Sequence, residues 1–331
     1  MAEMSDGERF LVTGAMGCIG AWTVKLLADA GTAVVAADVA TDAARWRLLD
    51  ATLAERVALL PGDVTDLAGF RRLLAEQEVT HVIHLAALQV PFARADPTRG
   101  ARVNVEGMAV VLEAARDPRV RGVAFASSIA VFGPADRYGP GPLADDAPAA
   151  PSTLYGAYKL ADEWMSRVYE QDHGVVSIGL RPAVVYGPGR DQGLTSSPTQ
   201  AMLSAAVGRP YHVAWGGAAA YHHARDVAAW FIAAARACGD GGGSRTYTLP
   251  VETVAMDAVV AAIAEAASGA AITYDETPLP FPSAYDASAL EGRLGAVPLT
   301  PFRAGVRETV ETFRTAVAEG RLDADRVLAP R

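Results

Sequence analysis

Lysine is nearly absent from this chain. Of 29 basic residues only Lys25 and Lys159 are lysines, so arginine serves wherever any positive charge will do. The lysines that persist pose a chemical question, because a compact ammonium and a guanidinium fork are not interchangeable. Cysteine is equally scarce. Cys18 and Cys238 alone exclude a disulfide framework or a cysteine metal cluster, and a reducing cytoplasm is the expected setting. There is no basic cluster and the net charge is −9, so nucleic acid is not an expected partner. The apolar runs are too short or too interrupted to span a bilayer, so no membrane partner is expected either. The opening MAEMSDGERF lacks the basic-then-apolar pattern of a signal peptide. No convincing metal-ligand spacing occurs among the histidines, and no metal is expected.

What is present is an ordinary globular balance, 51% hydrophobic and 20% charged over 331 residues. That length suits one large domain or a main domain with a lobe. The organising stretch is FLVTGAMGCIGAWTVKLLADAGTAVVAAD, residues 10–38. An apolar run leads into Gly14, Gly17 and Gly20, then an amphipathic helix closing at Gly31, then a second apolar run ending on Asp38. Strand, glycine turn, helix, strand and acid is the order that holds a dinucleotide. Glycines bring the backbone close to a pyrophosphate, and the helix N-terminus of Cys18 and Ile19 meets its charge. Asp38 accepts the two hydroxyls of an adenosine ribose and repels a 2′-phosphate, so NAD is expected over NADP. Cys18, inside the turn, reads as a small apolar group rather than a redox thiol.

The alternation continues. Val57–Leu60, His81–Leu85, Gly122–Ser127 and Val175–Leu180 read as further strands, separated by helices that include 98–116 and 152–172. This predicts an α/β fold: a Rossmann-type doubly wound parallel sheet over residues 1–187, with ligands beyond the strands' carboxyl ends. Residues 188–331 are expected to form mainly a smaller C-terminal substrate-binding lobe, with some segments returning to the sheet. There Tyr211–Ala214, Thr246–Leu249 and Ala271–Tyr274 read as strands, and 225–237, 253–267 and 303–318 as helices.

The second helix of interest carries Tyr155 and Lys159, four apart and so on one face. Ten tyrosines and two lysines placed at random would produce such a pair far less than once. A phenol ionises at about pH 10 in water, and an adjacent ammonium stabilises its anion. The same ammonium can reach a ribose hydroxyl, for which a guanidinium has the wrong shape. The strand before this helix ends in Ser127-Ser128, where a hydroxyl can hold a substrate oxygen while the tyrosine moves the proton.

Together these residues resemble the extended short-chain dehydrogenase/reductase family, the NAD-dependent epimerase/dehydratase group. The motifs are TGAMGCIG at 13–20, Asp38, GDV at 62–64, HLAAL at 84–88, SSIAVFG at 127–133, YGAYK at 155–159 and RPAVVYGPG at 181–189. The resemblance implies Tyr155 as acid/base, Lys159 as its partner and ribose anchor, and Ser128 rather than Ser127 as the third catalytic residue. It also implies that Asp63 and Val64 contact the adenine. Leu85, Ala86 and Ala87 line the cofactor, and Pro182 and Val184 lie near the nicotinamide. A homodimer, built through helices 98–116 and 152–172, is expected from the same resemblance.

Two departures narrow the activity. Members that dehydrate or decarboxylate sugar nucleotides carry acids just after the catalytic hydroxyl, where this chain has Ile129 and Ala130. Members that bind a nucleotide diphosphate tend to place an arginine where this chain has Ala219. Arg190 or Arg225 could serve a diphosphate instead, but a smaller sugar-like substrate is expected: a sugar, sugar acid or polyol. Gln89, Ser128, Arg190, Gln192, Thr195, Ser196 and His222 are its candidate contacts, with Arg190 on an anionic group. The expected activity is hydride transfer between NAD and a secondary alcohol. The alternatives are a sugar or nucleotide-sugar 4-epimerase with tightly bound NAD, and a non-catalytic NAD-binding sensor or scaffold.

Overall fold

The structure, a computed structural model, describes residues 7–296 and 299–329. Residues 1–6, part of the segment read for a signal pattern, lie outside them. The first strands are β1 (Arg9–Thr13), β2 (Ala33–Asp38), β3 (Leu59–Pro61), β4 (His81–His84), β5 (Gly122–Ala126) and β6 (Ser177–Arg181). They are followed by β7 (Val184–Tyr186), β8 (Tyr211–Val213), β9 (Ala218–His223), β10 (Arg245–Thr248), β11 (Glu252–Ala255) and β12 (Ile272–Tyr274). Helices α1 (Cys18–Asp29), α2 (Ala44–Leu49), α3 (Leu53–Arg56), α4 (Leu67–Glu76), α5 (Val90–Ala95), α6 (Pro97–Ala101) and α7 (Gly107–Ala114) precede β5. After it come α8 (Leu154–His173), α9 (Ser197–Ala206), α10 (Ala224–Ala237), α11 (Met256–Ala266), α12 (Ser288–Leu294), α13 (Phe302–Ala318) and α14 (Ala324–Leu328).

Seven strands form one parallel sheet in the order β3-β2-β1-β4-β5-β6-β10. Their near-continuous apolar runs fit strands covered on both faces. Residues of α1 and α10, among them Trp22, Leu27, Trp230 and Phe231, pack one face. Phe70, Leu74, Val111 and Leu112 of α4 and α7 pack the other, joined by Met165 of α8. The strand order reverses between β1 and β4, and a crevice opens there above the carboxyl ends. The lobe holds β11-β9-β7 and β12-β8, around a core that includes Tyr186, Trp215, Tyr221, Phe302 and Phe313.

Several segments differ from their sequence-based expectation. The helix expected over 98–116 is interrupted by a π segment at Arg102–Glu106, where the buried Asn104 turns its amide out of register to grip Leu88. The helix expected from 253 begins at Met256, because Glu252–Ala255 pairs antiparallel to β9. The Ala-rich run at 218–220, to which the sequence assigns no element, is part of β9, the central strand of the lobe's three-stranded sheet. Beyond residue 187, β10 joins the main sheet and α10 packs on α1 and β5.

Four of the six histidines are buried: His81, His84, His222 and His223. Burial pushes His81 and His222 down to about 4, and His84 and His223 down to about 3. The unfolded chain therefore binds more protons than the folded one below about pH 6.5. Stability should be full above that pH and fall as pH drops toward 4, by up to about 1.4 kcal/mol per pH unit for each histidine. Urea denaturation at pH 7.5, 6 and 5 measures this; a flat midpoint across that range would contradict it.

Candidate active site

A cavity of about 1150 Å³ occupies the crevice at the carboxyl ends of β1 to β6. Its cofactor end begins at the turn after β1. Gly14 has φ +67°, and a Cβ there would stand 2.7 Å from the Ala86 nitrogen, so only glycine lets this turn press against the end of β4. No side chain caps α1, which leaves its first amides open to an anion. Asp38, at the end of β2, is fixed from both sides: Met16 N–H donates to Oδ2 and Ala40 N–H to Oδ1, each at 2.9 Å. Asp63 accepts from the Thr65 amide and hydroxyl, and these bonds hold its carboxyl below the usual range. Burial raises the Cys18 thiol to about 11, in keeping with an inert apolar group.

The other end is built by α8. Thr153 caps the helix by accepting from Gly156 N–H at 3.0 Å. A Cβ on Gly156 would lie 2.0 Å from the Ala130 carbonyl oxygen. That close approach seats α8 on the turn Ile129–Val131, and so brings Tyr155 and Ser128 to the same cavity wall. The Ser128 hydroxyl caps this turn by accepting from Ala130 N–H at 3.1 Å. The Ser127 hydroxyl points inward and donates to Glu163, which separates the two serines. Lys159 lies beneath Tyr155, its Nζ 5.9 Å from the tyrosine ring centroid. Burial alone would depress the Lys159 ammonium, but Asp162, Tyr155 and Glu163 together hold it above its ordinary value.

Gly14, Gly17, Cys18, Ile19, Gly20, Asp38, Asp63, Val64, Leu85, Ala86, Ala87, Pro182 and Val184 all line the cavity. So do Ser128 and Tyr155, with Gln89, Arg190, Gln192 and Thr195. Three expected residues stand off its wall. Lys159 is buried behind Tyr155. Ser196 turns back to donate to the Gly193 carbonyl. His222, expected at the substrate, is sequestered within β9, where burial keeps its ring neutral. Among the described residues no group of three or more His, Cys, Asp or Glu is placed to hold a metal. No helix among them is long and apolar enough to cross a membrane.

Arg190 differs from Arg45 and Arg102, which line the cavity together with the exposed Arg99. Arg45 is committed to Asp191, at 2.6 Å, and to the Gly189 and Met16 carbonyls. Arg102 pairs with Glu106. Arg190 donates to the Thr195 hydroxyl at 3.2 Å, while its Nε is buried without a partner. Burial pulls its guanidinium below the ordinary value. Arg45 and Asn104 escaped the sequence reading. Arg45 latches the loop after β7 onto the glycine turn, and Asn104 clamps the loop after β4. Asn104 left one signal, a polar residue on the buried face of an amphipathic helix.

Open helix amides, a carboxylate ending β2 and a Tyr–Lys pair meet at one cavity above the carboxyl ends of a Rossmann-type parallel sheet. A family model for the NAD dependent epimerase/dehydratase family matches residues 10–249, and the chain belongs to that family, within the extended short-chain dehydrogenases/reductases. A UDP-glucose 4-epimerase from Mycolicibacterium smegmatis is 32% identical over 325 residues, covering 92% of this chain and 98% of the relative. A dTDP-glucose 4,6-dehydratase from the same organism is 30% identical, covering 92% and 93%. The UDP-glucose 4-epimerase of Thermus thermophilus, solved with NAD, superposes with a TM-score of 0.79 at 29% identity, covering 93% of this chain and 99% of that one. The chain is thus an NAD-dependent enzyme of the extended short-chain type.

Proposed function

We propose that the chain transfers hydride between NAD and a secondary alcohol of a sugar-like substrate bearing one anionic group. Arg190 carries this reading. A desolvated guanidinium with an unsatisfied Nε, on the wall that holds Tyr155 and Ser128, suits a carboxylate. Glycines 14, 17 and 20 and the α1 N-terminus would hold the pyrophosphate, and Asp38 the adenosine ribose. Asp63 and Val64 would border the adenine, and Leu85, Ala86, Ala87, Pro182 and Val184 the rest of the cofactor. NAD, when bound, supplies the hydride acceptor. Tyr155, as the phenolate, removes the alcohol proton, and Ser128 donates a hydrogen bond to the same oxygen. Lys159 stabilises the phenolate through its charge. Gln89, Gln192 and Thr195 would meet the remaining polar groups. Ile129 and Ala130 offer no acid for elimination.

A second reading, 4-epimerisation, is favoured by the full-length likeness to UDP-glucose 4-epimerases. Both readings share the proton transfer at Tyr155. They part on the substrate's charge: a nucleotide diphosphate asks for several cationic partners, and beside Arg190 the cavity offers the exposed Arg99 and Arg102. Ala219, buried within β9, is not among the cavity-lining residues.

Trp164, 58% exposed, and Val168, 49% exposed, stand one turn apart on α8 and support a homodimer through α8 and the helices preceding β5. Sedimentation should give a dimer that Trp164→Glu weakens; a monomeric wild type would remove this. Tyr155→Phe should lower turnover by at least about 100-fold while NAD still binds, within the range of general acid–base catalysis. Lost NAD binding would instead make Tyr155 structural. Arg190→Ala should raise KM for sugar acids by about 10-fold or more and leave NAD affinity alone. An unchanged KM, or conversion of a nucleotide sugar without net NADH, would favour the epimerase.

A further inference from the structure

Helix α8 buries two carboxylates that the proposed chemistry does not use, Asp162 and Glu163. Tyr155, Lys159, Asp162 and Glu163 follow one another at four, seven and eight residues, so all four share a face. Glu163 is fully engaged: Arg181 Nε donates to its Oε1 at 2.8 Å and Arg181 Nη2 to its Oε2 at 2.6 Å, and the Ser127 hydroxyl adds a third bond. Asp162 has only Lys159. Its Oδ2 accepts from Nζ at 3.0 Å, the two side chains are 0% and 2% exposed, and its Oδ1 has no partner. A carboxylate desolvated to this degree is costly unless its partner's charge is retained.

We propose that Asp162 is a positioning residue, which anchors the Lys159 ammonium in the core and keeps it charged beneath Tyr155. The anchor accounts for a lysine held beneath the tyrosine rather than extended into the cavity. The charge follows from Coulomb's law: burial favours a neutral amine, and a carboxylate 3.0 Å from Nζ holds the proton on, so the positive field that favours a phenolate is kept. Two further charges act nearby: Glu163, committed to Arg181, also favours the ammonium, and Arg190, in the loop after β7, acts on Tyr155 directly. His84, from β4, is neutral, its Nδ1 bonded to the Thr13 hydroxyl. Arg181, from β6, is neutralised by Glu163. Arg94, Arg99, Arg102, Glu106 and Arg245, on other elements packed against α8, are exposed, and the half-buried Glu113 pairs with Arg71 and Arg116. Burial pushes the Asp162 carboxyl up to about 6, so it is ionised wherever a tyrosine titrates.

The proposal rests on Tyr155 as the proton-transfer group only for its catalytic consequence. Its test therefore needs no turnover. The ionisation of Tyr155 is read as the ultraviolet difference between each protein and its Tyr155→Phe counterpart during alkaline titration. In Asp162→Asn the midpoint should rise by at least about half a pH unit, because the unpaired, buried Lys159 loses its proton before the tyrosine does, and Asp162→Glu should titrate like the wild type. If Asp162→Asn does not fold, Asp162→Ser is measured against the same criterion. Coincident midpoints, a fall, or the failure of both neutral variants to fold would assign the pair to stability alone and overturn the proposal.

Discussion

The core beneath α8 must be electrically balanced. Lys159 and Arg181 bring two positive charges into it and Asp162 and Glu163 two negative ones, all nearly inaccessible to water. Burying either sign alone would cost several kcal/mol. The arrangement therefore stands or falls as a group, and it ties α8 to β6 through Arg181. The same residue reaches further, donating to the Asp145 carbonyl in the loop before α8. The position of Tyr155 follows from this balance together with the close seat that Gly156 permits on the turn after β5. The geometry of the Tyr155 wall is inherited from core electrostatics.

The two ends of the cavity are held by different forces. The cofactor end is backbone geometry: a glycine turn, open helix amides and a carboxylate fixed by two amide donors. The substrate end is side chains on a loop latched by Arg45 and Asp191. Backbone geometry is common to proteins that share the fold. Loop side chains vary more than the scaffold that carries them, and there the likeness to named relatives carries least weight.

What was readable in the sequence was what depends on near neighbours. The glycine turn, the acid ending β2 and the Tyr-x-x-x-Lys spacing are local patterns with local causes, and the cavity gathers them. The parallel sheet followed from apolar runs alternating with amphipathic helices. Features created by distant partners were not readable. The latch joins residues 45 and 191, and the Asn104 clamp interrupts a helix that periodicity had made continuous. His222 looked available for a ligand because sequence does not reveal which face of β9 meets the core. Ala218–Ala220 carried too little pattern to show the central strand of a sheet. Ser127 and Ser128 were separable by family likeness, but the reason is physical: one hydroxyl donates to a core carboxylate and the other caps a turn at the cavity.

The scarcity of lysine has a consequence for handling the protein. Lys25 lies at the surface of α1 beside Asp29, and Lys159 is sealed within the core. Of the lysine side chains, amine-directed reagents therefore meet a single one in the folded state. A second modified lysine is a chemical record that α8 has parted from the sheet.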